Sequence, residues 1–186
     1  EAYTVQLHQP ITDALALKGI SMIAENLEKA YENGEDREAR RNMMIASTIG
    51  GMAFISSNVG AVHAFAETVG AWFDTPHGVA NSLFLPYIME FNIPACPERF
   101  ADIADAMGIE REESMSDEQY ALKAVEYVKA LNRKLNIPTI KEIKGITEER
   151  FEAIAERSAN NVLSNDNARK ITKEDYLELL KKAYNE

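Results

Sequence analysis

His63 and His77 stand fourteen residues apart in the stretch Gly60–Asn92, and they are two of only three histidines in 186 residues. Neutral imidazole nitrogens are ligands for divalent first-row metals, at bond lengths of about 2.1 Å. His63 lies in an apolar run of helical period, whereas His77 follows Pro76 and precedes Gly78, at the expected start of the next helix. Imidazoles on one helix and on the first turn of another can converge on one ion, the usual way a helical protein holds a metal. Glu67 lies four residues beyond His63 and so shares its helix face, with Cβ atoms about 5–6 Å apart. Two imidazoles and a carboxylate suit Fe2+ or Zn2+. A metal needs three or four protein ligands, so this segment makes an incomplete site. Taken singly, each histidine reads as readily as a hydrogen-bonded core residue, and Glu67 as a solvated or helix-capping carboxylate.

The remaining chemistry-bearing residues are less specific. Trp72 and Phe73, next to the turn, are core residues or the wall of a pocket, and Phe73 is the one expected on the substrate or cofactor side. His8, in a polar lead-in, is expected to be exposed. Cys96, between Pro94 and Pro97, has no nearby histidine or cysteine and reads as structural. Gly50-Gly51 lies inside a helical pattern and predicts a close helix–helix contact. It is no phosphate loop, because no strand precedes it. No Ser-His-Asp order, GxSxG or HExxH motif is present.

These side chains must be positioned by helices. Period-2 alternation and hairpin dipeptides are absent, and helical period runs throughout. Thr12 is predicted as the N-cap of a first helix that Gly34 stops. A second helix runs from about Asp36 into Ser56-Ser57-Asn58, and its apolar half, Met43 to Ile55, is expected to be buried on all sides. Gly60–Phe73 forms a third and 77–91 a fourth, kinked at Pro86. Pro97 opens a fifth, ended by Gly108, and Ser116 with Gln119 makes a capping box for a long helix to about Leu135. Ile137 and Ile140 anchor a connector. Thr147, with Arg150 at the box position, and Thr172 with Asp175 begin the last two. About eight helices in one all-α domain follow, with the buried layer first and the outer helices after.

Composition sets outer bounds. Hydrophobic residues make up 46% and charged residues 27%, which is a globular profile. The net charge of −10 argues against a nucleic-acid backbone or an anionic membrane as the main partner. One cysteine excludes an internal disulfide and fits a reducing, cytoplasmic setting. No apolar run is long enough to span a bilayer, and no secretory pattern is present. The opening Glu1-Ala2-Tyr3, without methionine, suggests a piece of something longer.

The pattern Gly60-x-x-His63, Gly70, Pro76-His77-Gly78, Asn81, Leu85-Pro86-Tyr87, Phe91-Asn92 closely resembles the second signature of the iron-containing (group III) alcohol dehydrogenases. TDALAL from Thr12 and the following IAENL resemble the upstream helix of those enzymes. Glu1-Ala2-Tyr3 resembles the tail of their metal motif D-x-x-x-H-x-x-E-A-Y, and TKEDYLELLKKAY their last helix. The resemblance covers essentially the whole chain. It implies the dehydroquinate synthase-like helical domain of a two-domain enzyme, whose N-terminal α/β domain binds NAD or NADP. His63 and His77 match the last two of four metal ligands, an aspartate and a histidine being the others. Iron would then act as a Lewis acid on a small alcohol, and hydride would pass to the nicotinamide. Where the family usually carries a histidine facing substrate and nicotinamide, this chain has Glu67, which puts the substrate class and proton relay in question and makes Glu67 a candidate substitute ligand. The resemblance also implies weak metal binding and no turnover for residues 1–186 alone, and a homo-oligomer. The competing reading is a non-catalytic helical metal-binding or interaction module that kept the scaffold.

Overall fold

Capping chemistry sets most of the helix starts. In the computed structural model, which describes residues 1–186, the chain forms eight α-helices and four short 3₁₀ turns, with no strand. The helices are α1 Pro10–Glu32, α2 Arg37–Ser57, α3 Ala61–Phe73, α4 His77–Asn92, α5 Pro97–Ala106, α6 Asp117–Lys134, α7 Phe151–Ala159 and α8 Lys173–Asn185. The boxes read at Ser116/Gln119 and Thr172/Asp175 form with both reciprocal bonds, and Pro97 occupies the first turn of α5. Two starts differ from the sequence reading. Gln9 rather than Thr12 is the N-cap of α1, and the Thr12 hydroxyl accepts from the Gln9 amide at 3.1 Å as the far half of the box. After Thr147 the chain enters a 3₁₀ turn, Glu148–Arg150, without a side-chain cap, so α7 begins at Phe151. Arg150 is a donor and cannot play the acceptor's part there.

Two cores divide the molecule. In the first, α3 and α4 pack against α7 and α8, with Ile140 and Ile146 of the connector closing the gap. Phe65 is fully buried, stacked on Phe84 at 4.2 Å and meeting Tyr176 edge-on at 4.6 Å. Such pairs contribute roughly 0.5–1.5 kcal/mol beyond the area they bury. The second core joins α5 and α6 to Tyr3, Met89 and Ile93. Seven of the thirteen residues of α3 are buried, as its apolar run predicts.

α2 departs from expectation. Its buried residues are Ala39, Ala46, Ala53 and Ser57, a single seam against α1. Met44, Ile45, Met52, Phe54 and Ile55 stay exposed, Ile55 at 80%. Apolar residues all round a helix show that it could be covered; only a second neighbouring element would cover it, and α2 has none. The outer layer therefore includes α1 and α2, not just the later helices. The close approach between these two helices runs through Gly19, where an added Cβ would sit 3.6 Å from Ile49 Cγ2 and 3.9 Å from the Ala46 carbonyl. Gly50 takes part in it, its amide nitrogen 4.0 Å from that Cβ, while a Cβ added at Gly50 or Gly51 itself would face open space. No single helix is long and apolar enough to cross a membrane, and α2 and α3 bend by 106° at their junction.

Pro86 lies inside α4, where its ring nitrogen leaves the Ser82 carbonyl without its helical donor. Asn132 of α6 supplies one: its Nδ2 donates to the Ser82 oxygen at 2.7 Å. The missing helix bond is thereby converted into a tie between α4 and α6.

Candidate metal centre

α3 starts at a glycine, so its first amides have no side-chain cap of their own. Glu1 provides it from 59 positions earlier in the sequence. Its Oε1 accepts from Gly60 N at 3.1 Å and Val62 N at 2.8 Å, an anion on a helix N-terminus. Its other oxygen accepts from His63 Nδ1. Burial pushes the Glu1 carboxyl upward, but the His63 hydrogen bond and charge and the Val62 amide hold the group below the usual carboxylate range. A carboxylate can only accept, so His63 carries its proton on Nδ1 and presents a lone pair on Nε2. That is how an outer carboxylate prepares a metal-binding imidazole.

Gly60 is required by this arrangement. A Cβ there would lie 3.0 Å from Asn167 Oδ1 and 3.1 Å from Glu1 Oε1. Asn167 is itself part of the support. It exchanges two hydrogen bonds with buried Asn92, at 3.0 and 2.7 Å, and its Oδ1 also receives the Ala61 amide at 3.3 Å. Asp166 beside it accepts from Asn58 Nδ2 at 2.6 Å.

His77 sits on the first turn of α4, exposed, after Pro76. The His63 and His77 ring centroids are 5.3 Å apart, with planes inclined at 53°. Two imidazoles bound to one tetrahedral ion at about 2.1 Å have centroids about 5 Å apart, so the pair fits half of such a centre. Asn81, one turn on, donates from Nδ2 to His77 Nε2 at 3.0 Å and to the His77 carbonyl at 2.9 Å, leaving its buried Oδ1 without a partner. No third His, Cys, Asp or Glu completes the group within this chain. Beside His63 opens a cleft of about 390 Å³, walled by Gly50, Gly51, Phe54, Val59, Val62 and Leu85 and reaching Glu1 and Asn81. Neither glycine of the pair carries a side chain into this space.

The other candidates lie elsewhere. Glu67 is exposed and accepts from Asn161 Nδ2 at 2.7 Å, in a separate polar cleft with Thr68, Arg157 and Asn160. Phe73 lines a third cleft with Trp72. His8 is exposed, 3.4 Å from Asp13, and half-buried Cys96 has its thiol pushed up to about 11 by burial. Sequence reasoning gave no catalytic or supporting role to Glu1, Asn81 or Asn167. Asn81 carried a signal, its spacing of four from His77, and Glu1 another, its place in the E-A-Y tail of the metal motif; Asn167 had no local one.

Over residues 1–184 the chain matches the family model described as "Fe-containing alcohol dehydrogenase family, C-terminal". It is 40% identical over 187 residues to alcohol dehydrogenase 4 of Saccharomyces cerevisiae, covering 99% of this chain and 47% of that protein. It is 38% identical over 184 residues to 1,3-propanediol dehydrogenase of Citrobacter freundii, with the same coverage of 99% and 47%. The solved structure of alcohol dehydrogenase from Oenococcus oeni superposes with a TM-score of 0.94 at 39% identity, over 99% of this chain and 48% of that one. The chain spans about half the length of the curated relatives it matches.

Proposed function

The chain belongs to the Fe-containing alcohol dehydrogenase family, and on that premise we propose that it is the metal- and substrate-side half of an NAD(P)-dependent enzyme interconverting a small alcohol and its aldehyde or ketone. The observation that carries this reading is the His63–His77 pair, its rings 5.3 Å apart and His63 fixed by the Glu1 carboxylate. Bound Fe2+ supplies Lewis acidity to the substrate oxygen. His63 would offer Nε2 to it, and His77 a nitrogen once Asn81 yields. Glu1 holds the His63 tautomer and ring plane throughout. The walls formed by Phe54, Val59, Val62 and Leu85 keep water from a short carbon chain, and Gly50 and Gly51 give it room. The other two metal ligands would come from residues just before Glu1, and the nucleotide site from a nucleotide-binding domain that would close the cleft from the far side.

The test joins this chain, in frame, to the nucleotide-binding half of a relative and loads the fusion with Fe2+. NAD(P)H formation with short primary alcohols, abolished in His63→Ala and absent from residues 1–186 alone, is the expected result. A metal-loaded fusion that turns over no alcohol supports the competing reading of a non-catalytic metal-binding module.

A further inference from the structure

The cleft at the C-terminal end of α3 is separate from the metal pair. Phe73 lies ten residues beyond His63, which places it about 15 Å further along the helix axis. Trp72 and Phe73 wall an opening of about 620 Å³ together with Lys144, Gly145 and Arg150. That volume falls among small-molecule sites, roughly 300–1,000 Å³. Its lining holds two cations and no carboxylate. A third cation, Arg157, lies with Cζ 5.5 Å over the Trp72 ring.

None of Lys144, Arg150 and Arg157 is ion-paired. The α7 carboxylates Glu152 and Glu156 face Lys173, at 3.0 and 3.5 Å. The lining of this cleft is therefore cationic in a chain of net charge −10. The aromatic wall is exposed. Trp72 is 40% accessible, and Phe73 meets it edge-on with centroids 6.4 Å apart. Gly145 holds φ at +93°, and a Cβ there would come within 3.2 Å of Phe73 Cδ1, so the glycine lets the ring lie against the connector.

We propose that this cleft binds a nucleoside phosphate, the base stacking on the Trp72 indole and the phosphate held by Lys144 and Arg150. An accessible indole recruits a flat ring, and clustered unpaired cations recruit phosphate oxygens. The proposal does not rest on the dehydrogenase reading, and its readout is different. Trp72 is the only tryptophan, so its fluorescence reports this cleft directly. Titration of the chain with ADP, corrected for light absorbed by the base with a free tryptophan analogue, is expected to give saturable quenching. Adenosine and inorganic phosphate should each bind more weakly than ADP. The Lys144→Ala, Arg150→Ala double variant, altered only at exposed positions, should weaken ADP by about tenfold or more. His63→Ala should leave the quenching unchanged. No saturable quenching up to about 10 mM ADP, or quenching undiminished in the double variant, overturns the proposal. Inorganic phosphate binding as well as ADP overturns the base recognition. Loss of the signal in His63→Ala would move the nucleotide to the metal cleft and overturn it too.

Discussion

Glu1→Gln separates the two jobs that one carboxylate performs. The amide oxygen of glutamine can still accept from Gly60 N and Val62 N, where Glu1 Oε1 now lies at 3.1 and 2.8 Å. The group facing His63 Nδ1, however, changes from an acceptor to an NH2 donor. A donor there drives the ring proton from Nδ1 to Nε2, the nitrogen needed for metal. Stability should fall modestly. A charge-assisted bond becomes a neutral one, a difference of about 1 kcal/mol, and the helix N-terminus loses its anion, about 0.3–1 kcal/mol more. Metal affinity should fall much further, about 10–100-fold, as when an outer partner of a ligating histidine is removed. Glu1→Ala should do both kinds of damage: two amides and the imidazole N–H lose their acceptor, at about 1–3 kcal/mol per group that water cannot reach. Urea unfolding measures the stability, calorimetric titration with Zn2+ the affinity, and two-bond ¹⁵N–¹H spectra the His63 tautomer. A Gln variant that binds Zn2+ like the unaltered chain, or keeps the proton on Nδ1, would refute the assignment of Glu1 as the group that sets the imidazole.

Phe65→Ala removes the ring shared by Phe84 and Tyr176 at the centre of the first core and should cost about 3–5 kcal/mol in chemical denaturation; a loss under about 1 kcal/mol would mean that the site collapses freely. Asn132→Ala leaves the Ser82 carbonyl with neither its helical donor nor its substitute, and a loss of about 1–3 kcal/mol is expected. An unchanged midpoint would show that water replaces the amide. The exposed face of α2, with Met44, Ile45, Met52 and Ile55, is large for a free surface and should drive self-association, which the net charge of −10 restrains but does not prevent. Sedimentation at micromolar concentration should show a dimer or larger species that Ile55→Lys dissociates; a strict monomer that binds no hydrophobic dye contradicts this.

Helix existence was legible wherever a local rule decided it. Ser116/Gln119 and Thr172/Asp175 satisfy their capping boxes within four residues, so no tertiary knowledge is needed. The start of α1 was displaced by three because Thr12 serves equally well as a cap or as the far end of a box, and only the Gln9 side chain distinguishes the two. Burial was less legible. Ile55 and Phe65 look alike in sequence, yet one is 80% exposed and the other fully buried, because cover depends on which elements arrive later. The histidine pair was visible from its spacing and the Pro-His-Gly turn. Its support was not. Glu1 reaches His63 across 62 positions, and Asn167 reaches Asn92 across 75, separations that leave no periodic trace.

The Asn92–Asn167 exchange also sets a timetable. Asn167 receives the Ala61 amide and packs against the space that Gly60 leaves open, so the first turn of α3 is finished by a residue near the end of the chain. During synthesis, His63 and His77 leave the ribosome roughly a hundred residues before that partner exists. At about 5–20 residues per second the interval is about 5–20 s, during which both imidazoles are made but not yet set. A nascent chain stalled before Asn167 would carry both histidines and still lack the seat that holds them, so any metal taken up there should follow the synthesis of Asn167 rather than that of the two histidines.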